Sequence, residues 1–157
     1  HIKDSAVVRE ASDHSGVESI TIGDVDGAAT TSGEAVTITI SADGATAANT
    51  LIIDGSNITD SLDDLTVTNN AASSLTSYTI SGGAGDDSLA GSNAADTITG
   101  GTGSNSLTGN SGNDIITGGA GVDTIAGGAG NDVVVAAAGN DIITIAAGTD
   151  NIDAGAG

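Results

Sequence analysis

Eight oxygen-bearing side chains recur at nine-residue intervals: Asp87, Asp96, Asn105, Asp114, Asp123, Asp132, Asp141 and Asp150. Seven are carboxylates. An ionised carboxylate only accepts hydrogen bonds, so a column of them calls for donors or cations. Zinc and copper favour His or Cys, and residues 82–157 contain neither. Calcium is the best match, because it takes about six to eight oxygen ligands at about 2.3–2.6 Å in flexible geometry. Magnesium demands a tighter octahedron and keeps its water.

The elements that must position these groups are nonapeptides in tandem. From Gly82 the chain reads GGAGDDSLA, GSNAADTIT, GGTGSNSLT, GNSGNDIIT, GGAGVDTIA, GGAGNDVVV, AAAGNDIIT and IAAGTDNID, ending at Asp153. The acid or amide is position six. Position eight is aliphatic in every unit: Leu89, Ile98, Leu107, Ile116, Ile125, Val134, Ile143 and Ile152. Position four is Gly in seven units, with Ala94 the exception. A flexible linker would share the composition but not the register. One aliphatic residue among small ones predicts a three-residue strand with one inward side chain. The glycine-rich hexad before it reads as a turn. Two units then make an eighteen-residue coil with a strand on each side.

Stacked coils bring like positions about 4.8 Å apart. One edge would collect Asp87, Asn105, Asp123 and Asp141, and the other Asp96, Asp114, Asp132 and Asp150. At an effective dielectric near 20, adjacent carboxylates at that spacing repel by about 3 kcal/mol. Two neighbouring turns supply two carboxylates and several backbone carbonyls, the donor set of calcium.

Composition agrees with a thin stacked core. Phe, Trp, Met, Pro and Cys are absent, and Tyr78 is the one aromatic residue. Without cysteine there is no disulfide and no thiol chemistry. The net charge of −19, from 21 acidic residues against Lys3 and Arg9, argues against nucleic acid and anionic membranes as partners. No run of apolar residues is long enough to span a bilayer as a helix. The closing Ala154–Gly157 matches the first four positions of another unit, so the chain is expected to be a segment of a longer protein.

The units resemble the RTX repeat, Gly-Gly-x-Gly-x-Asp-x-aliphatic-x, over residues 82–157. That resemblance implies an all-β fold, a right-handed parallel β-roll with calcium held between turns on one edge. It implies side-chain ligands at the position-six residues named above. It also implies carbonyl ligands at Gly83, Gly85, Gly101, Gly103, Gly119, Gly121, Gly128 and Gly130. Same-edge neighbours define six possible sites, and Asp114 with Asp132 and Asp123 with Asp141 are the preferred pairs. Several units depart from the pattern. Asn105 removes a charge; GSNAADTIT lacks glycine at positions two and four; Ala136–Ala138 and Ile145–Ala147 stand where glycine is expected.

Residues 1–81 are poorer in glycine and only irregularly repetitive. Alternating runs predict strands at Glu18–Ile22, Val36–Ile40, Leu51–Ile53, Leu65–Thr68 and Tyr78–Ile80. A looser solenoid or a small sandwich fits, and the solenoid is favoured because Ser73–Ser81 enters the array in phase, with Ile80 at position eight. Asp24, Asp26 and Asp43 are candidate further calcium ligands. However, Asp-x-Asp-Gly here lacks the Glu and flanking helices of an EF-hand, so solvated turns are the plainer reading. His1 and His14 read as surface residues, and Asn57-Ile58-Thr59 as a chance glycosylation match.

The segment Gly16–Ile22, GVESITI, is similar to a phrase in bacterial surface-layer (S-layer) proteins that carry RTX repeats, and the Thr/Ala/Gly-rich composition is similar too. No nucleophile elbow or zinc motif is present, so a non-enzymatic role is expected. The reading is a calcium-binding structural repeat protein of the bacterial cell surface, probing outward to self-assembly with copies of itself, exported by type I secretion. Its rivals are the stalk of a secreted RTX adhesin, and the export and folding module of a secreted toxin or hydrolase.

Overall fold

A computed structural model describes residues 5–6, 17–22, 33, 35–40, 49–69 and 76–157. Every regular element among them is a β-strand. Seven strands form one parallel sheet: β1 (Ser5–Ala6), β3 (Ala35–Ile40), β5 (Asp64–Asn69), β7 (Ser88–Ala90), β9 (Ser106–Ser111), β11 (Thr124–Ala129) and β13 (Ile142–Thr144). The other seven form a second: β2 (Val17–Thr21), β4 (Asn49–Asp54), β6 (Thr76–Gly83), β8 (Thr97–Thr102), β10 (Ile115–Ala120), β12 (Val133–Ala138) and β14 (Asn151–Asp153). The chain alternates between the sheets, so each pair of successive strands is one coil of a parallel β-roll.

Within the array the register is eighteen residues. Ile116 pairs with Ile98 on one side and Val134 on the other, and Ile125 pairs with Leu107 and Ile143. Position eight lines the core as its spacing requires. Leu89, Ile98, Leu107, Ile116, Ile125 and Val134 are buried, whereas Ile115, at position seven, is 50 % exposed. Each such burial contributes about 1.5–3 kcal/mol. Ile143 is only partly buried and Ile152 is 38 % exposed, since they lie on the edge strands β13 and β14.

The strands are longer than the three residues expected. β8 through β12 each hold six residues, running from position seven to position three of the next unit. Glycine does not end them, because a parallel neighbour on each side keeps the backbone in the ladder. Position one therefore faces inward: Gly100, Gly109, Gly118 and Gly127 are buried, as is Ala136. True turns occupy only positions four to six.

The described strands of the first half continue both sheets of the array, as a solenoid does. The five strands expected there all form, Glu18–Ile22 shifted by one residue to Val17–Thr21 and the other four extended by one to five residues, and Ile80 pairs with Ile98 at position eight. Both sheets run unbroken through residues 81 and 82, with β6 spanning them. His1, His14, Asp24, Asp26 and Asp43 lie outside the described residues. In Asn57-Ile58-Thr59, the central Ile58 is buried in the core.

Candidate metal centre

Position-six side chains are stacked in two files, one on each edge of the roll. In each file a side-chain Oδ1 accepts the backbone N–H of the position-six residue one coil earlier. On one edge Asp87 N–H donates to Asn105 at 3.0 Å, Asn105 N–H to Asp123 at 2.8 Å and Asp123 N–H to Asp141 at 2.8 Å. On the other, Asp96 N–H donates to Asp114 at 2.9 Å, Asp114 N–H to Asp132 at 3.0 Å and Asp132 N–H to Asp150 at 2.9 Å. The two edges thus hold the residues that eighteen-residue spacing assigns to them. A further ladder joins the exposed position-five residues: Ser104 N–H donates to Asp86, Asn131 N–H to Asn113 and Thr149 N–H to Asn131.

Hydrogen bonding accounts for Oδ1 and leaves Oδ2. Among the described residues, Oδ2 of Asp87, Asp114, Asp123, Asp132 and Asp141 is buried without a hydrogen-bond partner. A buried carboxylate oxygen without a partner is costly. The described residues include no Lys, Arg or His, since Lys3, Arg9, His1 and His14 all fall outside them. Burial pushes the Asp87 and Asp114 carboxyls up to about 7, against the pull of the N–H groups they accept, and neighbouring carboxylates push the same way. Burial also raises Asp96 and Asp123, again opposed by hydrogen bonds.

The orphaned oxygens of Asp87, Asp114 and Asp123 each share their space with a carbonyl of the next coil. A Cβ at Gly109 would strike both Asp114 Oδ2 and the Gly127 carbonyl oxygen, and one at Gly118 would strike Asp123 Oδ2 and the Ala136 carbonyl oxygen. Glycine at position one keeps open a cradle where two oxygens from successive coils meet. This set fits a hard cation: buried anionic oxygen, adjacent carbonyl oxygen and no nitrogen or sulfur ligand. Calcium bound there would neutralise the carboxylates and tie coil to coil.

The sequence did not mark position one as part of the site, although six of its eight residues are Gly. The carbonyl oxygens of positions two and four pack against the matching position of the next coil. Those of Gly83 and Gly101 rest against Gly101 and Gly119, those of Gly85 and Gly103 against Gly103 and Gly121, and Gly128 and Gly130 receive those of Asn110 and Gly112. Where alanine replaces glycine in β12 the fold is kept at a local cost: Ala137 takes a left-handed φ of 77°, as Asn110 in β9 does at 79°.

Both files end on apolar residues where the first half begins. Leu65 N–H donates to Asp87 Oδ1 at 2.7 Å and Tyr78 N–H to Asp96 Oδ1 at 2.6 Å. Leu65 and Tyr78 therefore occupy the position-six slot, and both are buried. Above them in register stand Val36 and Leu51, also buried. One interior slot is filled by hydrocarbon in the first half and by carboxylate in the second.

A family model of the RTX calcium-binding nonapeptide repeat matches this chain four times, over residues 79–107, 90–125, 108–143 and 127–157. Together the matches span half the chain. No curated protein and no solved structure matches it. The nonapeptide register, the two files of position-six side chains and these four matches agree: the chain belongs to the RTX calcium-binding nonapeptide repeat family.

Proposed function

We propose that this chain is a structural element of a bacterial cell surface, folding and assembling with calcium as S-layer proteins do, and that it has no catalytic role. Calcium would be held by the side chains of Asp87, Asp114, Asp123, Asp132, Asp141 and Asp150, with backbone carbonyls of the next coil completing the shell. Residues 82–157 form the calcium-dependent roll, and residues 1–81 a β-rich segment leading into it. The observation that carries the reading is the set of five buried, unpartnered carboxylate oxygens along the stack. They make the stiffness of the rod depend on a cation that extracellular modules bind at about 10⁻⁴–10⁻³ M. Such weak sites are filled outside cells, in keeping with export by type I secretion.

Self-assembly is supported by the outer faces of the sheets. Ile115 and Val133 are paired in neighbouring strands and both exposed, and Ile142 is exposed on the opposite sheet. Adjacent exposed aliphatic side chains favour a contact with another surface. Electron microscopy of intact cells before and after chelation tests the proposal. Chelation should release the protein or disorder a surface lattice, and calcium should restore it. A freely diffusing monomer in millimolar calcium, with hydrolytic activity in the parent protein, would overturn it in favour of a secreted enzyme.

A further inference from the structure

The coil of residues 91–108 departs from its neighbours on both edges. At its first edge, Asp96 is the one fully buried position-six aspartate whose Oδ2 has partners. Ser92 N–H donates to Asp96 Oδ2 at 2.5 Å, and Ser92 Oγ–H lies 2.9 Å from Oδ1 and 3.1 Å from Oδ2. Ser92 Oγ in turn accepts the N–H of Ala94 at 2.9 Å. The backbone has changed to allow this. Gly83, Gly101, Asn110, Gly119, Gly128 and Ala137 at position two all hold positive φ; Ser92 does not, nor does Ala146 in the last unit. Position four follows suit: Gly85, Gly103, Gly112, Gly121, Gly130, Gly139 and Gly148 hold positive φ, and Ala94 does not. The turn has become a set of donors closing on the carboxylate.

At the second edge, Asn105 keeps the ladder through Oδ1 and places an amide Nδ2 where its neighbours hold a bare Oδ2. A Cβ at Gly100 would meet Asn105 Nδ2 at 2.7 Å and the Gly118 carbonyl oxygen at 2.6 Å. The donor and the carbonyl oxygen thus share the cradle that in the next coil holds Asp123 Oδ2 and the Ala136 carbonyl oxygen. A donor at each edge does within the chain what a cation does in the coils that follow.

We infer that Ser92 and Asn105 make the coil of residues 91–108 self-sufficient, so that it stays folded without calcium although the Asp87 carboxylate before it has an unpartnered oxygen, and the continuous calcium-dependent stretch begins near Gly109. This rests on the calcium reading of the array given above. The coil also packs on the first-half coil through β6, where Thr79, Ile80 and Ser81 pair with Thr97, Ile98 and Thr99. It keeps a folded neighbour when the later coils open.

Hydrogen exchange read by mass spectrometry on the full chain, in chelator and in millimolar calcium, tests this. In chelator, amides of residues 91–108 should stay protected while those of 109–153 exchange like free peptide. Ser92→Gly restores the repeat consensus and removes the hydroxyl. In chelator it should lose protection over residues 91–99, and in calcium regain it with one more ion bound per chain. Ser92→Ala keeps the backbone N–H and should fall between. If residues 91–108 open together with 109–153 in wild type, or if Ser92→Gly stays protected in chelator, the inference is wrong while the calcium reading stands. If residues 109–153 stay protected in chelator, the calcium reading itself fails and takes the inference with it.

Discussion

Asp132 Oδ1 accepts the backbone N–H of Asp114 at 3.0 Å, while Oδ2 of the same Asp132 carboxylate is buried with no hydrogen-bond partner. One carboxylate therefore does two jobs. One oxygen joins successive coils, and the other is left without a donor.

Ile116→Asp should destabilise the roll by several kcal/mol, because Ile116 is fully buried and its replacement buries an uncompensated charge. Ile115→Asp, on the neighbouring exposed position, should cost about 1 kcal/mol or less. Thermal melts in calcium distinguish them, and equal losses would refute the inside–outside assignment.

The calcium-free array should be more stable in weak acid than at neutral pH. Asp87 and Asp114 have carboxyls raised from 3.8 to about 7 by burial. A raised acid binds its proton more tightly in the folded state. The stability it contributes is complete below pH 3.8 and is lost as pH rises through 7. Calcium must displace those protons, so its apparent affinity should climb across the same window and level off above it. Melts in chelator at pH 5 and pH 8 check the sign; greater stability at pH 8 would contradict it.

Much of this was legible in the sequence, for a physical reason. A nine-residue period with an inward aliphatic residue admits few arrangements, so the edges, the core column and the solenoid phase of Ile80 all follow from spacing. Strand length did not follow. Glycine signals a turn in sequence, whereas a ladder neighbour on both sides holds Gly100, Gly109 and Gly118 inward, all three within strands. The part of the site at position one was hidden for the same reason, since a residue without a side chain signals no contact. Nor did composition show that Leu65 and Tyr78 continue the position-six files, because that alignment rests on their backbone N–H groups donating to the carboxylates of Asp87 and Asp96 in the array.

Ala137→Gly should raise stability by about 1 kcal/mol. Ala137 holds a left-handed φ of 77° that glycine adopts without the Cβ clash. Equilibrium unfolding in saturating calcium measures it, and a loss of stability would show that the methyl group contributes more than the strain costs.

Asn105→Asp should tighten calcium binding at the two positions Asn105 borders, toward Asp87 and Asp123, because a charged oxygen replaces the amide Nδ2. In chelator the same variant should be less stable than wild type, having lost a donor and gained a buried charge. Calorimetric titration showing equal or weaker binding would count against the register of that edge.

The central claim is that calcium neutralises the buried carboxylates and thereby holds the later coils together. The most direct test is the stability of the roll as a function of free calcium, followed by circular dichroism at constant ionic strength. Above the dissociation constant, each tenfold rise in calcium should add about 1.4 kcal/mol per ion bound. The slope should therefore report several ions, and magnesium at the same concentration should give far less. A stability that is flat in calcium, or that magnesium raises equally, would contradict the account.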